Sequence, residues 1–286
     1  MSYPSVSNTS INSELYAALV TQAQYAAYET SVARQLVTVF DAPVNTGKTL
    51  QVPIWAAIAA ELITDEAAAT VKTTNTTSAV ITLSEHVVYH QVTDMLRDSA
   101  YSDVFAQIGD QSGRAIAESL DTQVFGTFDP AYGSPFTANV GTAGGEVTAR
   151  TIMSAAATLR ANKLSGPFYA VLHPGQAFAL KANLTSTASY SSISNVGNSI
   201  LDNFYIGSIA GVQIFESSLV PSNSTGAFGA VFAPQALGHA MRGGIDMNTL
   251  YLPQNRATDI VLKAVAGAQV LNTGFGVRVL GAKTTT

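Results

Sequence analysis

Three groups of residues have the types and spacings from which a chemical site could be built. The stretch Ala42 to Thr49 reads APVNTGKT: a small residue, four of anything, then Gly47-Lys48-Thr49, the loose form of a phosphate-binding loop. Such a loop cradles phosphates only when a buried strand delivers it and a helix follows, with its first N–H groups aimed at the anion. His86 and His90, four apart, could hold zinc from one face of a helix. Asp94 and Asp98, also four apart with Arg97 beside them, could form an acid–base couple.

None of the three sits in the context its chemistry needs. After Lys48 the chain runs TLQVPIW, in which Leu50, Val52 and Ile54 alternate with Thr49, Gln51 and Pro53, the two-residue period of a half-buried strand. Pro53 would fall in the second turn of the helix that a phosphate loop requires, at a cost of roughly 3 kcal/mol. The first glycine of the signature is also replaced, by Ala42, with Pro43 behind it. The stretch reads instead as a turn, Asn45-Thr46-Gly47-Lys48, between two extended segments. The two histidines fall at the end of a strand, in a chain with no cysteine to complete a zinc site. Asp94, Arg97 and Asp98 read as a solvated or intersubunit ion pair. His173 precedes Pro174, and His239 reads as part of a helix among small apolar residues. No Gly-x-Ser-x-Gly elbow and no acidic triplet of metal-site type occurs. The expectation is a chain without catalytic, cofactor or metal residues.

The elements around these residues follow from periodicity. From Asn12 to Thr38, Leu15, Ala18, Leu19, Ala23, Ala26, Val32 and Leu36 recur at spacings near three and four, predicting a helical N-terminal arm. Two extended arms, Lys48 to Ile54 and Val80 to Tyr89, flank the polar TVKTTNTTS and predict a long hairpin. A helix follows from a Ser102 cap to about Phe125, with Val104, Ile108, Ile116, Leu120 and Val124 on its apolar face. Gly109 and Gly113 inside it cost about 1 kcal/mol each relative to Ala, which predicts close approach of another backbone. A Gly- and Pro-rich link leads to a second region near Glu146. There Thr148 caps the helix ARTIMSAAATLRAN, PFYAVLHP reads as strand and PGQAFALKANL as helix, with Pro174 in its first turn. VQIFES is a further strand, and GAFGAVFAPQALGHAMRG reads as strand, proline and helix. MNTLYLP, TDIVLKAVAG and GFGVRVLG complete the chain as strands, with a turn at Pro253-Gln254-Asn255-Arg256.

Composition narrows the role. Of 286 residues only 12% are charged while 47% are apolar, against about 25% and 45–50% in ordinary soluble domains. Interface cores are depleted of charge, so a surface this poor in charge is expected to be covered by neighbouring subunits. Net charge is −5 and no run of Lys or Arg appears, which leaves little counterion release to drive nucleic-acid binding. Apolar runs such as IWAAIAA are far shorter than the about 20 residues that span a bilayer. The N-terminus lacks the basic start and apolar centre of a signal peptide, and the absence of cysteine is natural in a cytosolic chain.

The order of parts resembles the major capsid proteins of tailed bacteriophages, the Hong Kong 97 type capsid fold. NTGKTLQVPIW looks like the first strand of that family's extended loop, and ITLSEHVVYHQVTDMLRDSA is similar to the return into its spine helix. FYAVLHPGQAFALKA and IAGVQIFESSLVP resemble a strand that turns through proline into a helix, then a glycine-led strand ending in proline. The resemblance implies an α+β fold divided into an N-terminal arm (1–39), an extended hairpin loop (40–90) and the spine helix with the first part of a peripheral domain (91–145). An α/β axial domain (146–243), peripheral strands with a tip turn (244–270) and a C-terminal axial strand (271–286) follow.

The implied function is a coat protein that self-assembles, as pentamers and hexamers, into an icosahedral head around double-stranded DNA. It would be made in the host cytoplasm and end in the virion. The implied intersubunit contacts are Lys48, Trp55 and Lys72 on the extended loop, Gly109 and Gly113 on the spine helix, and Pro253, Asn255 and Arg256 at the tip. Some family members cross-link a loop lysine to an asparagine. Lys48 and Lys72 lie in that region, no motif fixes either as the donor, and both read as surface lysines. Only a few tens of residues precede the hairpin, so a separate scaffolding protein is the expected partner, together with a portal protein, weakly held packaged DNA and possible decoration protein. The alternatives are an encapsulin-like nanocompartment shell around a cargo enzyme and, further off, a phosphate-loop enzyme.

Overall fold

The computed structural model describes Ala23 and residues 31–283, apart from 46, 56–57, 64, 66–67, 100–103, 134 and 187–206. Its strands are β1 (Thr38–Asp41), β2 (Thr49–Trp55), β3 (Thr76–Thr82), β4 (Ser84–Thr93), β5 (Ala138–Gly141), β6 (Phe168–Leu172), β7 (Ser208–Ile209), β8 (Val212–Glu216), β9 (Ala227–Phe232), β10 (Leu237–Leu252), β11 (Ala257–Val270) and β12 (Gly276–Gly281). The helices are α1 (Ala33–Leu36), α2 (Asp94–Ser99), α3 (Val104–Gly126), α4 (Ala149–Ala161) and α5 (Pro174–Ser186).

The strands form three sheets. A six-stranded sheet runs β5-β12-β9-β6-β8-β7, a four-stranded sheet β1-β10-β11-β4, and β2 pairs with β3 alone. In the six-stranded sheet every residue of β9 is buried. One of its faces packs Val231 against Ile152, Leu159 and Leu180 of α4 and α5, and the other packs Ala230 and Phe232 against Phe125, Phe128 and Phe136. A strand covered on both faces has no reason to alternate, which is why AFGAVF is apolar throughout. Thr148 starts α4 as read from sequence: its hydroxyl accepts from the Thr151 N–H and the Thr151 side chain reaches back, a capping box.

The four-stranded sheet is one-sided. Ile260, Leu262, Ala264 and Ala266 of β11 are buried in a cluster with Ile116, Ala117 and Leu120 of α3, while Asp259, Val261, Lys263 and Val265 between them are half-exposed. Two short links join the larger sheets, β9 to β10 through a 3-10 turn at Pro234–Ala236, and β11 to β12 through residues 271–275. The links hold one another: Leu271 N–H donates to Ala236 O at 2.8 Å, and Ala233 N–H to Phe275 O at 3.1 Å.

Three sequence readings are corrected. The predicted arm helix, Asn12 to Thr38, lies mostly outside the described residues; its described end stops at Leu36, and Thr38 begins β1. The run Val37-Thr38-Val39-Phe40 is β-branched and aromatic, and it finds a parallel partner in β10. The return arm of the hairpin is two strands rather than one. β3 pairs with β2, the chain breaks at Leu83, and β4 joins β11 in the other sheet. Finally GHAMRG is not helical. It is the start of β10, a 16-residue strand in which His239 pairs across to Val39 and Ala268. Small residues are required there because a side chain on Gly238 would stand 2.9 Å from Leu271. The Ser102 cap falls outside the described residues.

Candidate assembly surfaces

Among the described residues the ribbon β2–β3 is anchored at one end. Leu83 N–H donates to Lys48 O at 2.8 Å, Arg242 donates to Gly47 O, and Ile81, Leu83, Leu50 and Val52 pack with Ala42 and Ala240. Gly47, at φ +82°, makes the turn into the ribbon, and β2 starts at Thr49. The residues after Lys48 are thus strand, paired Thr49 with Thr82, where a phosphate-binding loop would be followed by a helix. Away from the root the apolar residues stand in solvent. Trp55 is 69% exposed, Leu62 98% and Val71 88%, with Ile58 also exposed. Lys48 is exposed, and Lys72 makes a solvent-facing ion pair with Glu61 at 3.1 Å.

The β10–β11 tip is a second exposed feature. Pro253, Gln254, Asn255 and Arg256 are all exposed, Arg256 in the left-handed region at φ 45°. The tip is tied to α2, since Asp94 N–H donates to Arg256 O at 2.9 Å and the Tyr251 hydroxyl to Asp94 Oδ2 at 2.9 Å. Leu250, just before the tip, and Met95, next to Asp94 on α2, are exposed. The side chains of Arg97 and Asp98 lie outside the described residues.

On α3 the structure supplies a backbone for Gly113. A Cβ there would fall 2.3 Å from the carbonyl oxygen of the chain's own Ala23, which is fully buried. Gly109 is buried one turn earlier. His86 and His90 fasten β4 to this helix: His86 Nδ1 lies 2.7 Å from Ser119 Oγ and Nε2 3.3 Å from Gln123 Oε1, and His90 Nε2 lies 3.0 Å from Ser112 Oγ.

Sequence reasoning passed over two buried charges and one buried imidazole. Asp121 on α3 accepts from Ser31 Oγ at 2.6 Å and from the N–H groups of Val32 at 3.0 Å and Ala33 at 3.4 Å, holding the start of α1. Burial raises its pKa against the lowering effect of those bonds. Arg278 on β12 donates from Nε to Phe128 O at 2.7 Å and from Nη1 to Asn139 Oδ1 at 3.0 Å, and burial lowers its pKa. His239 is 2% exposed and neither ring nitrogen has a hydrogen-bond partner among the described residues. Arg278 carries a signal in sequence, a charge set inside the apolar run GVRVLG; Asp121, among Glu118, Ser119, Thr122 and Gln123, carries none, and His239 lies on a strand rather than in the helix its neighbours suggest.

Two sheets that close their own cores, joined to a ribbon that leaves apolar side chains in water, define a structural subunit of an assembled shell. The phage capsid protein family model matches residues 76–283, well over half of the chain, and the chain belongs to that family. A search of curated protein sequences finds no match. Among solved structures the chain is similar to the capsid of Cyanophage P-SCSP1u, with TM-score 0.69, 20% identity and 87% of each chain covered. It is also similar to Mycobacterium phage Che8, with TM-score 0.65, 18% identity and coverage of 82% of this chain and 85% of the other. A virus-like particle from Pyrococcus furiosus matches with TM-score 0.61 and 13% identity over 93% of this chain and 99% of that one. The α+β fold is of the Hong Kong 97 type. The protein is a capsid shell protein of the virion, structural rather than enzymatic, and many copies assemble. The phage capsid family match disfavours the encapsulin-like alternative.

Proposed function

We propose that this chain is the major coat protein of a tailed-phage head, assembling as pentamers and hexamers in the host cytoplasm on a separate scaffolding protein, with a portal at one vertex, and enclosing double-stranded DNA. The observation that carries the reading is the ribbon: a two-stranded sheet is marginal in water, and this one carries Trp55, Leu62 and Val71 with little cover of its own. Neighbouring copies supply that cover. Lys48, Trp55 and Lys72 belong to this contact, Gly109 and Gly113 to the packing along α3, and Pro253, Asn255 and Arg256 to a contact between tips. The four-stranded sheet and α3 serve as the peripheral domain and the six-stranded sheet as the axial domain. With few basic residues, the chain holds packaged DNA only through weak, non-specific contact.

Electron microscopy of purified particles tests this directly. DNA-filled heads with one distinct vertex are expected. A stable monomer that forms no particle on addition of scaffold would overturn it. Arg256→Glu is expected to block particle closure while leaving subunit stability within about 0.5 kcal/mol, as exposed substitutions do. Normal particles from that variant would remove the tip from the contact.

A further inference from the structure

His239 stands on β10 between two apolar clusters. Leu237, two residues before it on the same face, belongs to the cluster of Phe125, Phe128 and Phe232; Met241, two residues after, belongs to that of Ile116, Leu120 and Ile260. The ring therefore sits where α3 passes from one cluster to the other. It also sits against the docked N-terminal segment, since β1 pairs with β10 through Val39 and His239. The polar groups that fasten that dock are engaged elsewhere: Asp121 by Ser31, Val32 and Ala33, and Thr38 Oγ1 by Pro234 O at 2.9 Å. The imidazole is buried with both nitrogens unpartnered among the described residues, a costly arrangement that is bearable only for the neutral ring.

The charged and titratable groups around it come from several elements. Arg34 on α1 and His86 on β4 both act against a proton on the ring. Asp121 on α3 is turned to the backbone of the segment. On β1, Asp41 shares the face of His239 by strand parity but is exposed. β11 opposes the ring with Ala268 and has Ala266 next on that face, neither titratable.

We propose that His239 is an acid-sensitive release for the dock of segment Ser31–Asp41. Protonation puts a second positive charge in a site shared with Arg34 and offers it no acceptor, so α1 and β1 come away from α3 and β10. Burial first, then Arg34 and His86, lower the pKa of the ring to about 4. A group depressed in this way disfavours the docked state in acid: the dock is at full strength above about pH 6.5, weakens as pH falls through the interval to about 4, and is weakest below it. Asp121 works in the opposite sense, because burial raises its pKa and acid relieves its desolvation. A release in acid therefore points to the imidazole and not to the carboxylate. The inference rests on one subunit's geometry and stands apart from how subunits assemble.

Hydrogen exchange read by mass spectrometry on the intact chain, corrected for the pH dependence of intrinsic exchange, tests it at about pH 7, 5.5 and 4.5. Peptides covering 31–41 are compared with those covering β6 as an internal standard. In the natural chain, protection of 31–41 relative to β6 is expected to fall at least about tenfold across that range. In His239→Leu it is expected to stay within about twofold. Arg34→Gln, which removes the repelling cation, is expected to shrink the fall measured against its own value near neutral pH, and it carries the test if His239→Leu does not fold. An equal fall in the natural chain and in either variant, or no fall in the natural chain, overturns the proposal.

Discussion

β9 and β2 are strands of nearly equal length, AFGAVF and TLQVPIW, yet every residue of β9 is buried and none of β2 is. The residues alone do not explain this, since Leu50, Val52, Ile54 and Trp55 are as apolar as Phe228, Val231 and Phe232. The difference lies in partners. β9 has β12 and β6 on its edges, helices over one face and phenylalanines over the other. β2 has β3 alone, and its packing ends at the root beside Ala240. One region is completed by its own chain and the other is left for copies of the chain to complete, so stability and assembly are expected to separate under mutation.

The largest effect is expected from Phe232→Ala. Truncating a fully buried phenylalanine costs about 3–5 kcal/mol, measured as the urea midpoint of dissociated subunits. Trp55→Ala is expected to move that midpoint by less than about 0.5 kcal/mol, yet to lower particle yield in sedimentation, with the fluorescence of natural Trp55 shifting on assembly. If both variants destabilise the free subunit equally, the ribbon is part of the subunit's own fold and the comparison fails.

The dock of segment Ser31–Asp41 is tested by acid. The depressed pKa of His239, about 4, means that the unfolded chain binds a proton the folded chain refuses below about pH 6.5. Stability should fall by about 3 kcal/mol between pH 6.5 and 4 from this group, visible as a difference in melting-temperature slope between the natural chain and His239→Leu. Gly113→Leu comes next. A side chain there meets the Ala23 carbonyl, so overpacking of about 1–3 kcal/mol is set against a helix-propensity gain near 1 kcal/mol. A variant more stable than the natural chain would show that this seam is loose.

How far the sequence reveals this depends on what decides each element. Where local chemistry decides, it reads cleanly: Thr148 caps α4, Pro174 opens α5, and the turn Pro253 to Arg256 separates β10 from β11. Gly113 announced a close approach, though nothing local names Ala23 as its partner. Where long-range packing decides, reading fails. GHAMRG resembles a helix by composition, but Gly238 and Ala240 are small because Ile81 and Leu271 press against that face. The break at Leu83 has no glycine or proline; it is fixed by the bond to Lys48 O. His239 has no sequence signal at all, because its character comes from the partners it lacks. Of the proposed contact residues Lys48, Trp55, Lys72, Pro253, Asn255 and Arg256 are exposed, whereas Gly109 and Gly113 are buried within the subunit.

The smallest effect is expected where the sequence made its loudest chemical suggestion. In APVNTGKT the turn is held by backbone and by Arg242: Leu83 N–H bonds to Lys48 O, and Gly47 O accepts from Arg242. The Lys48 side chain is exposed and takes no part in either bond. Lys48→Ala should therefore leave the urea midpoint within about 0.5 kcal/mol of the natural chain. ATP should neither bind nor protect, because strand β2, with Pro53 inside it, occupies the place of the phosphate-binding helix. Trypsin should still distinguish the two regions, cutting at Lys48 or Lys72 before assembly and not after, since copies that cover the ribbon also cover its lysines. Cleavage unchanged by assembly would mean that the ribbon stays open in the particle. ATP affinity lost in Lys48→Ala would return the turn to nucleotide chemistry.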